Sequence, residues 1–189
     1  RKLLVSPFQT RKRLIKFIKR EIKNHKNGLP SGINLKLNSL SDKEIIDLLY
    51  KASNKGVPVR LIVRGIHCLI PQIEQLSVNI NSISVVDKFL EHPRVYWFVN
   101  EGKQAVYISS ADIMERNLDF RVEVACPIED EKLKKVVMDT FDISFNDNVK
   151  GRIHDLTSSL DYQKNQKAPN RSQFTTYEYL KNLEQEYEN

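Results

Sequence analysis

No apolar run in this sequence reaches about 18 residues, so no segment offers itself as a membrane-crossing helix. No secretory signal pattern is visible either. Cysteine is scarce: Cys68 and Cys126 are the only two, and they carry no metal-ligand spacing, so a reducing, cytoplasmic setting fits. Their flanks, Ile66-His67-Cys68-Leu69 and Val124-Ala125-Cys126-Pro127, predict that both are buried. Internal repeats are absent. What remains is 189 residues, 40% hydrophobic and 29% charged, enough for one domain with a real core and a short appendage. The chain opens on Arg1 rather than Met, with Lys2-Leu3-Leu4-Val5 already strand-like, and so reads as a piece of something longer.

The first third of the chain has few acids. Residues 1–60 hold 15 Lys and Arg against 4 Asp and Glu, while the remainder holds 15 against 20, so the net +6 conceals an N-terminal excess of 11. Such asymmetry suits a polyanionic partner, although a charge run is also what a solvated face looks like. Ser6-Pro7-Phe8-Gln9 reads as a helix start with Ser6 as cap, Pro7 in the first turn and Gln9 completing a capping box. Leu14, Ile15, Ile18 and Ile22 then form an apolar stripe, and Asn27-Gly28 ends the helix. Its other face carries Arg11, Lys12, Arg13, Lys16, Lys19, Arg20, Lys23 and Lys26, with Glu21 the one acid among them. These cations are solvated, or they meet an anion or an acidic surface.

Ile33 to Asn38 alternates as a strand, with Asn34, Lys36 and Asn38 on one face. Ser41-Asp42-Lys43-Glu44 is a second capping box, opening a helix with Ile45, Ile46, Leu48, Leu49 and Ala52 inward and Gly56 at its end. Val57 to Val63 is the next strand, closed by Arg64-Gly65. The order strand, helix, strand, helix, strand predicts a parallel α/β unit with right-handed crossovers. Ligands in such sheets sit beyond the carboxyl ends of strands, which places Lys36, Asn38 and Arg64 at one rim. Leu69 to Asn79 is a loop or short helix, and Ile80 to Val85 a short strand.

Arg94 to Val99 and Ala105 onward form a hairpin about Asn100-Glu101-Gly102-Lys103. Phe120 to Cys126 alternates Arg121 and Glu123 with Val122 and Val124, as a half-buried strand does. His92, Ser109, Ser110, Asp112, Arg121 and Glu123 therefore lie on or just past strand ends, a good place for chemistry. Ile128-Glu129-Asp130-Glu131 starts a helix with Leu133, Val136, Val137, Thr140 and Phe141 inward, and Val149 to Leu156 is an edge strand. Ser158 to Ser172 reads as a polar linker, and Thr176 to Glu186 as a helix with Tyr177, Leu180 and Leu183 on one side. The predicted division is a domain over 1–156 and an appendage over 157–189.

Several segments, in order, carry a resemblance: Leu4-Val5-Ser6-Pro7-Phe8, Lys36-Leu37-Asn38-Ser39-Leu40, Ile62-Val63-Arg64-Gly65-Ile66, Phe89-Leu90-Glu91-His92, and Val106-Tyr107-Ile108-Ser109-Ser110-Ala111-Asp112 through Arg116-Asn117-Leu118-Asp119 to Arg121-Val122-Glu123. The sequence resembles the C-terminal part of bacterial polyphosphate kinase, the type that forms long chains. The resemblance implies an α/β fold of the phospholipase D kind, a mixed sheet flanked by helices, the second of two tandem copies. It implies that ATP gives its γ-phosphate to a histidine in the preceding copy, from which it passes to polyphosphate. By position, Arg64 matches the family's nucleotide- and phosphate-contacting arginine, and His92 its second essential histidine. His67 departs from the small residue or cysteine expected there. The resemblance also implies ATP or ADP as substrate, magnesium held by residues outside this stretch, a homo-oligomer, and contacts with the missing N-terminal domains. Nucleic acid is not expected as a partner. A cytoplasmic location is expected, with a peripheral place at the inner membrane as the variant of it.

The chemistry suits these residue types. A guanidinium is always charged and can bind phosphate through two hydrogen bonds, and an imidazole can donate or accept a proton near neutrality. Lys36 is a further candidate phosphate-binding cation. Glu123 is the candidate acid that orients His92, with an ion pair to Arg121 as its alternative role. His25, His67 and His154 read as structural, and Trp97 and Tyr107 as core. His92-Pro93-Arg94 is H-x-R where the phospholipase D superfamily has H-x-K. Two other functions stay open: a phosphodiesterase of the phospholipase D type, and a non-catalytic module gripping polyanions with the basic helix.

Overall fold

The computed structural model describes residues 2–157 and 159–188; Arg1, Ser158 at the start of the expected linker and the final Asn189 lie outside the described residues. Eight strands form one sheet: β1 (Leu4–Ser6), β2 (Ile33–Leu37), β3 (Val59–Val63), β4 (Ile80–Val85), β5 (Val95–Phe98), β6 (Ala105–Ser109), β7 (Glu123–Pro127) and β8 (Gly151–Ile153). Among the described residues four α-helices accompany them: α1 (Thr10–Lys26), α2 (Lys43–Asn54), α3 (Glu131–Phe145) and α4 (Ser172–Glu188). The strand order is β1-β7-β6-β5-β2-β3-β4-β8. Pairings β2–β3 and β3–β4 are parallel and the remaining five antiparallel. The fold is thus a mixed α/β sheet with helices on both faces. The parallel unit expected from β1 onward begins only at β2. β1 instead lies at the far edge beside β7, because local alternation specifies a strand but not its partner.

Period-2 alternation decides which face each residue serves. Ile33, Leu35 and Leu37 of β2, with Leu61, Tyr96 and Phe98, pack under Leu14, Phe17 and Ile18 of α1 and Ile45, Leu49 and Ala52 of α2. The opposite face carries Ile62, Ile83, Trp97 and Val106 against Phe141 of α3, with the Trp97 and Phe141 rings edge to face at 5.6 Å. Truncating a ring as deeply buried as Phe141 would cost about 3–5 kcal/mol. Arg60 lies over the rings of Trp97, Phe141 and Phe145 while donating to Asn34 and Asp142, so these aromatics belong to the core and to one cation.

Several boundaries differ from expectation for identifiable reasons. Ser6 is buried as the last residue of β1 and does not cap α1, which starts at Thr10; the Gln9 side chain donates instead to the Leu3 carbonyl at 2.9 Å. Asp42 rather than Ser41 caps α2, accepting from the Ile45 amide at 3.0 Å. Arg116–Phe120 winds as a π-helical turn, so β7 starts at Glu123 and leaves Phe120 and Val122 exposed. Leu133, expected inward, is exposed in the first turn of α3, where Asp130 is the cap. Both cysteines are exposed: Cys68 lies in a loop, and Cys126 lies opposite Ile108, itself exposed, on the face of the sheet that carries Val106.

The stretch after residue 156 stays on the domain. The Ile153 amide donates to the Asp161 carbonyl at 2.8 Å and the Gln163 amide to that of Gly151 at 2.7 Å. Asp147, fully buried, accepts from the amides of Val149, Lys150, Gly151 and Ser172 and so ties α3, β8 and α4 together. α4 packs beside α3, with the Tyr179 hydroxyl donating to Asp139 at 2.6 Å. Tyr177 and Leu180, on one side of α4, face solvent. Among the described residues no helix is long and apolar enough to cross a membrane.

Candidate functional site

Strand directions gather the polar residues on one rim. β2, β3 and β6 end there, and β5 and β7 begin there, as the pairing senses require. Arg64 follows β3. Its amide and that of Gly65 carry the parallel pairing two residues further, donating to Leu37 and Asn38 carbonyls at 3.3 and 2.8 Å. A Cβ at Gly65 would stand 2.9 Å from the Asn38 carbonyl oxygen, so the close approach that sets Arg64 at the rim needs glycine. The Arg64 guanidinium donates to the Asn38 side-chain oxygen and lies 3.3 Å from Nδ1 of His92. A guanidinium only donates, so Nδ1 must accept in this contact, leaving the ring proton on Nε2. His92 itself is exposed on the segment leading into β5.

Lys36 joins the same cleft, which Asn38, Glu91 and Pro93 also line. Its ammonium is mostly buried and donates to Glu91 at 2.7 Å and to Ser144 of α3 at 2.9 Å. Part of its charge is therefore already answered. The cleft opens toward a cavity of about 350 Å³ walled by Lys36, Phe89, Glu91, Pro93, Thr140, Gln173 and others of α3 and α4. A larger hollow of about 670 Å³ beside β1 is lined by Lys2, Leu3, Val5, Phe8 and Gln9 and holds none of the acids, arginines or histidines singled out.

The structure brings Arg64, His92 and Lys36 together but not Glu123. The Glu123 carboxylate accepts from the Ser110 hydroxyl and from Asn117 Nδ2, the latter at 2.8 Å. Among the described residues it makes no hydrogen bond to His92 and no ion pair with Arg121. Topology supplies the reason: β6 lies between β7 and β5, and the residues just past β6 intercept the carboxylate before it can reach the imidazole. The cation of H-x-R is likewise turned away from the cleft. Arg94 is nearly buried, pairing with Asp112 at 2.8 Å while donating to the His92 carbonyl at 3.2 Å.

Asp112 was one of several polar residues past a strand end, and nothing in the sequence marked it above Ser109 or Ser110. It is buried, and its other oxygen accepts from the amides of Asn38 and Ser39 at 2.8 and 2.9 Å. Burial pushes the Asp112 carboxyl up, but the Arg94 guanidinium and the two amides outweigh it and hold the group below the usual carboxylate range. The structural histidines have partners that no local pattern revealed. His67 and His154 stack with ring centroids 4.2 Å apart and share the Ser82 hydroxyl, at 3.0 and 2.8 Å. Burial, aided by its neighbour His154, pushes His67 down to about 3. Among the described residues no three His, Cys, Asp or Glu side chains converge as metal ligands.

Comparison with known proteins gives a consistent set of likenesses. The family model described as polyphosphate kinase C-terminal domain 2 matches residues 3–174. The polyphosphate kinase of Escherichia coli (strain K12) is 51% identical over 184 residues, covering 97% of this chain and 27% of that protein. The chain therefore spans about a quarter of the length of such relatives. The crystal structure of polyphosphate kinase from Porphyromonas gingivalis superposes with a TM-score of 0.95 at 42% identity, over 98% of this chain and 28% of that one. A phospholipase D family member from Salmonella typhimurium superposes at TM-score 0.58 and 15% identity, over 81% of this chain and 96% of its own, a likeness of fold alone.

Proposed function

The chain belongs to the polyphosphate kinase family, as its C-terminal domain 2, and on that premise we propose that it supplies one half of an ATP:polyphosphate phosphotransfer site. In this reading the γ-phosphorus of ATP exchanges its bond to the β–γ bridging oxygen for one to a histidine nitrogen in the preceding domain, and ADP leaves. That P–N bond then breaks as a P–O bond forms with the terminal phosphate of polyphosphate, and the sequence runs in either direction. Arg64 and His92 act on the phosphoryl group in transit. The guanidinium neutralises oxygens on which charge is spread, and the imidazole offers Nε2–H to a phosphate oxygen or moves a proton. Lys36, held by Glu91, adds positive potential to the same cleft rather than a free ammonium.

The observation that carries this reading is the contact of Arg64 with His92 at an open rim, from elements 28 residues apart. Magnesium would accompany the nucleotide; in this reading its ligands lie in the preceding domains, and no step is derived through it. The other partners proposed are ATP or ADP, polyphosphate, the preceding domains and further copies of the same kinase, in the cytoplasm. The test follows labelled γ-phosphate from ATP onto the intact kinase and then onto polymer, with Arg64→Ala and His92→Ala. Surviving protein label with failed transfer places His92 in the second step, and loss of both places it in the first. Unchanged kinetics in both variants would remove the site. The separate 189-residue chain should form no polyphosphate from ATP, since the accepting histidine lies elsewhere.

A second reading, a polyanion-gripping surface, is favoured by the division of labour on α1. Its arginines serve the fold: Arg11 pairs with Asp42, Glu44 and Asp119, while Arg13 and Arg20 lie over the Phe17 ring. Its one acid, Glu21, is fully buried. Lys12, Lys16, Lys19, Lys23 and Lys26 are all exposed, on the side opposite the buried stripe, and among the described residues no carboxylate pairs with them. The two readings are compatible, with the stripe holding chain that the rim extends. The phosphodiesterase reading is weaker, because Arg94 is spent on Asp112 instead of standing beside His92 in the cleft.

A further inference from the structure

We propose that Asp112 is the positioning residue that holds Arg64 and His92 in register with each other. The inference rests on the phosphotransfer reading above. Asp112 bonds to neither functional side chain, yet it reaches both through two links. One oxygen accepts from the Asn38 and Ser39 amides at 2.8 and 2.9 Å and fixes the turn after β2. The Asn38 side chain, so placed, accepts from the Arg64 guanidinium. The other oxygen accepts from Arg94 at 2.8 Å, and the second arm of that guanidinium donates to the His92 carbonyl at 3.2 Å.

The carboxylate is itself braced, so a change there is not absorbed locally. The Tyr96 hydroxyl, fully buried, donates to the Ala111 carbonyl at 2.6 Å. The Ile113 amide donates to the Ser39 carbonyl at 3.2 Å, and the Ser41 and Asp42 amides to that of Ile113 at 3.0 and 3.1 Å. The segment after β6 is thereby laced across the end of β2 on both sides of Asp112. With side-chain exposures of 6% for Asp112 and 11% for Arg94, neither charge has water to replace its partner. Phosphoryl transfer depends on placement above all, and an error near 1 Å in the reacting groups costs about a hundredfold in rate.

The test is a double-mutant cycle in the intact kinase. Asp112→Asn keeps the shape and one acceptor oxygen but loses the charge that pairs with Arg94. It should lower kcat/KM for ATP by about 10- to 100-fold while the protein still melts above the assay temperature. Introduced together with Arg64→Ala and His92→Ala, the same change should cost less than about threefold more, because both groups it positions are already gone. A residue that only holds the fold would cost the same factor in both backgrounds. Should Asp112→Asn fail to fold, Arg94→Lys decides: it keeps the charge but cannot span Asp112 and the His92 carbonyl, so its effect should be masked in His92→Ala. Full additivity, or near wild-type rates in Asp112→Asn and Arg94→Lys while Arg64→Ala and His92→Ala are crippled, would overturn the positioning role and leave the site standing. Wild-type rates in Arg64→Ala and His92→Ala would instead bring down the phosphotransfer reading itself.

Discussion

Replacing Asp147 should undo the end of the domain in a graded, predictable way. Its Oδ1 accepts from the Val149, Lys150 and Gly151 amides at 2.9, 2.6 and 3.0 Å, and its Oδ2 from Ser172 at 2.8 Å. The amides of Gly151 and Ser172 belong to buried residues, and each buried donor left without an acceptor costs about 1–3 kcal/mol. Asp147→Ala should therefore destabilise by about 2–6 kcal/mol, read from urea unfolding, with amide exchange accelerated at all four positions. Asp147→Asn should be milder, since its carbonyl oxygen can keep the three β8 bonds while its NH2 faces the Ser172 amide, donor against donor. Exchange should then rise at Ser172 and the start of α4 alone. Burial pushes the Asp147 carboxyl up, but hydrogen bonds from Ser172, Lys150 and Val149 bring it below its ordinary value. A depressed carboxyl stabilises above its unfolded pKa and loses that contribution as pH falls through the folded one, so wild type and Asp147→Ala should converge in acid below about pH 4. A loss under about 0.5 kcal/mol at pH 7, or exchange unchanged at Ser172, would mean that Asp147 does not hold β8 and α4. Because α4 lends Gln173 and Thr176 to the cavity beside the rim, Asp147→Asn should also raise KM in the intact kinase.

Neutralising Lys12, Lys16, Lys19 and Lys23 to Gln should weaken polyphosphate binding and lower the slope of log affinity against log salt by roughly three, at about 0.7 per charge removed. The same change should stabilise α1 by about 1 kcal/mol, since it removes like-charge neighbours at i,i+3 and i,i+4; weaker binding through lost stability would contradict this. His67 is held neutral by burial, and its depressed folded pKa of about 3 means stability is lost as pH falls below about 6.5, by up to about 1.4 kcal/mol per unit. His67→Phe keeps the stack on His154 without a titrating group, so its urea midpoint should fall less steeply between pH 6.5 and 4. An unaltered slope would place the acid sensitivity elsewhere.

What the sequence made legible were those features written in local pattern. Leu35 and Leu37 inward with Lys36 outward, or Ile45, Leu49 and Ala52 on one side of α2, follow from periods of 2 and 3.6 that any partner must respect. Arg64 and His92 were placed at one rim by strand direction and by the segments that resemble the family. Partner choice was not legible. β1 pairs with β7, not beside β2, and that separation of 121 residues between Leu4 and Ala125 leaves no trace in either segment. The same holds for Glu123, whose reach toward His92 is blocked by Ser110 and Asn117 past an intervening strand. Asp112 was invisible for a related reason: its partners Asn38, Ser39 and Arg94 come from two other strands. The packed side of α4 was not legible either: it runs through Thr176 and Tyr179, a face of mixed polarity that no hydropathy pattern favours.

If Arg64 and His92 act together on a phosphoryl group, one guanidinium and one imidazole must meet the same phosphate. The most direct measurement is a crystal structure of the intact kinase with a β,γ-imido analogue of ATP. Phosphate oxygens should then lie within about 3.2 Å of both the Arg64 guanidinium and the His92 ring. Phosphates bound with either side chain turned away from them would contradict it.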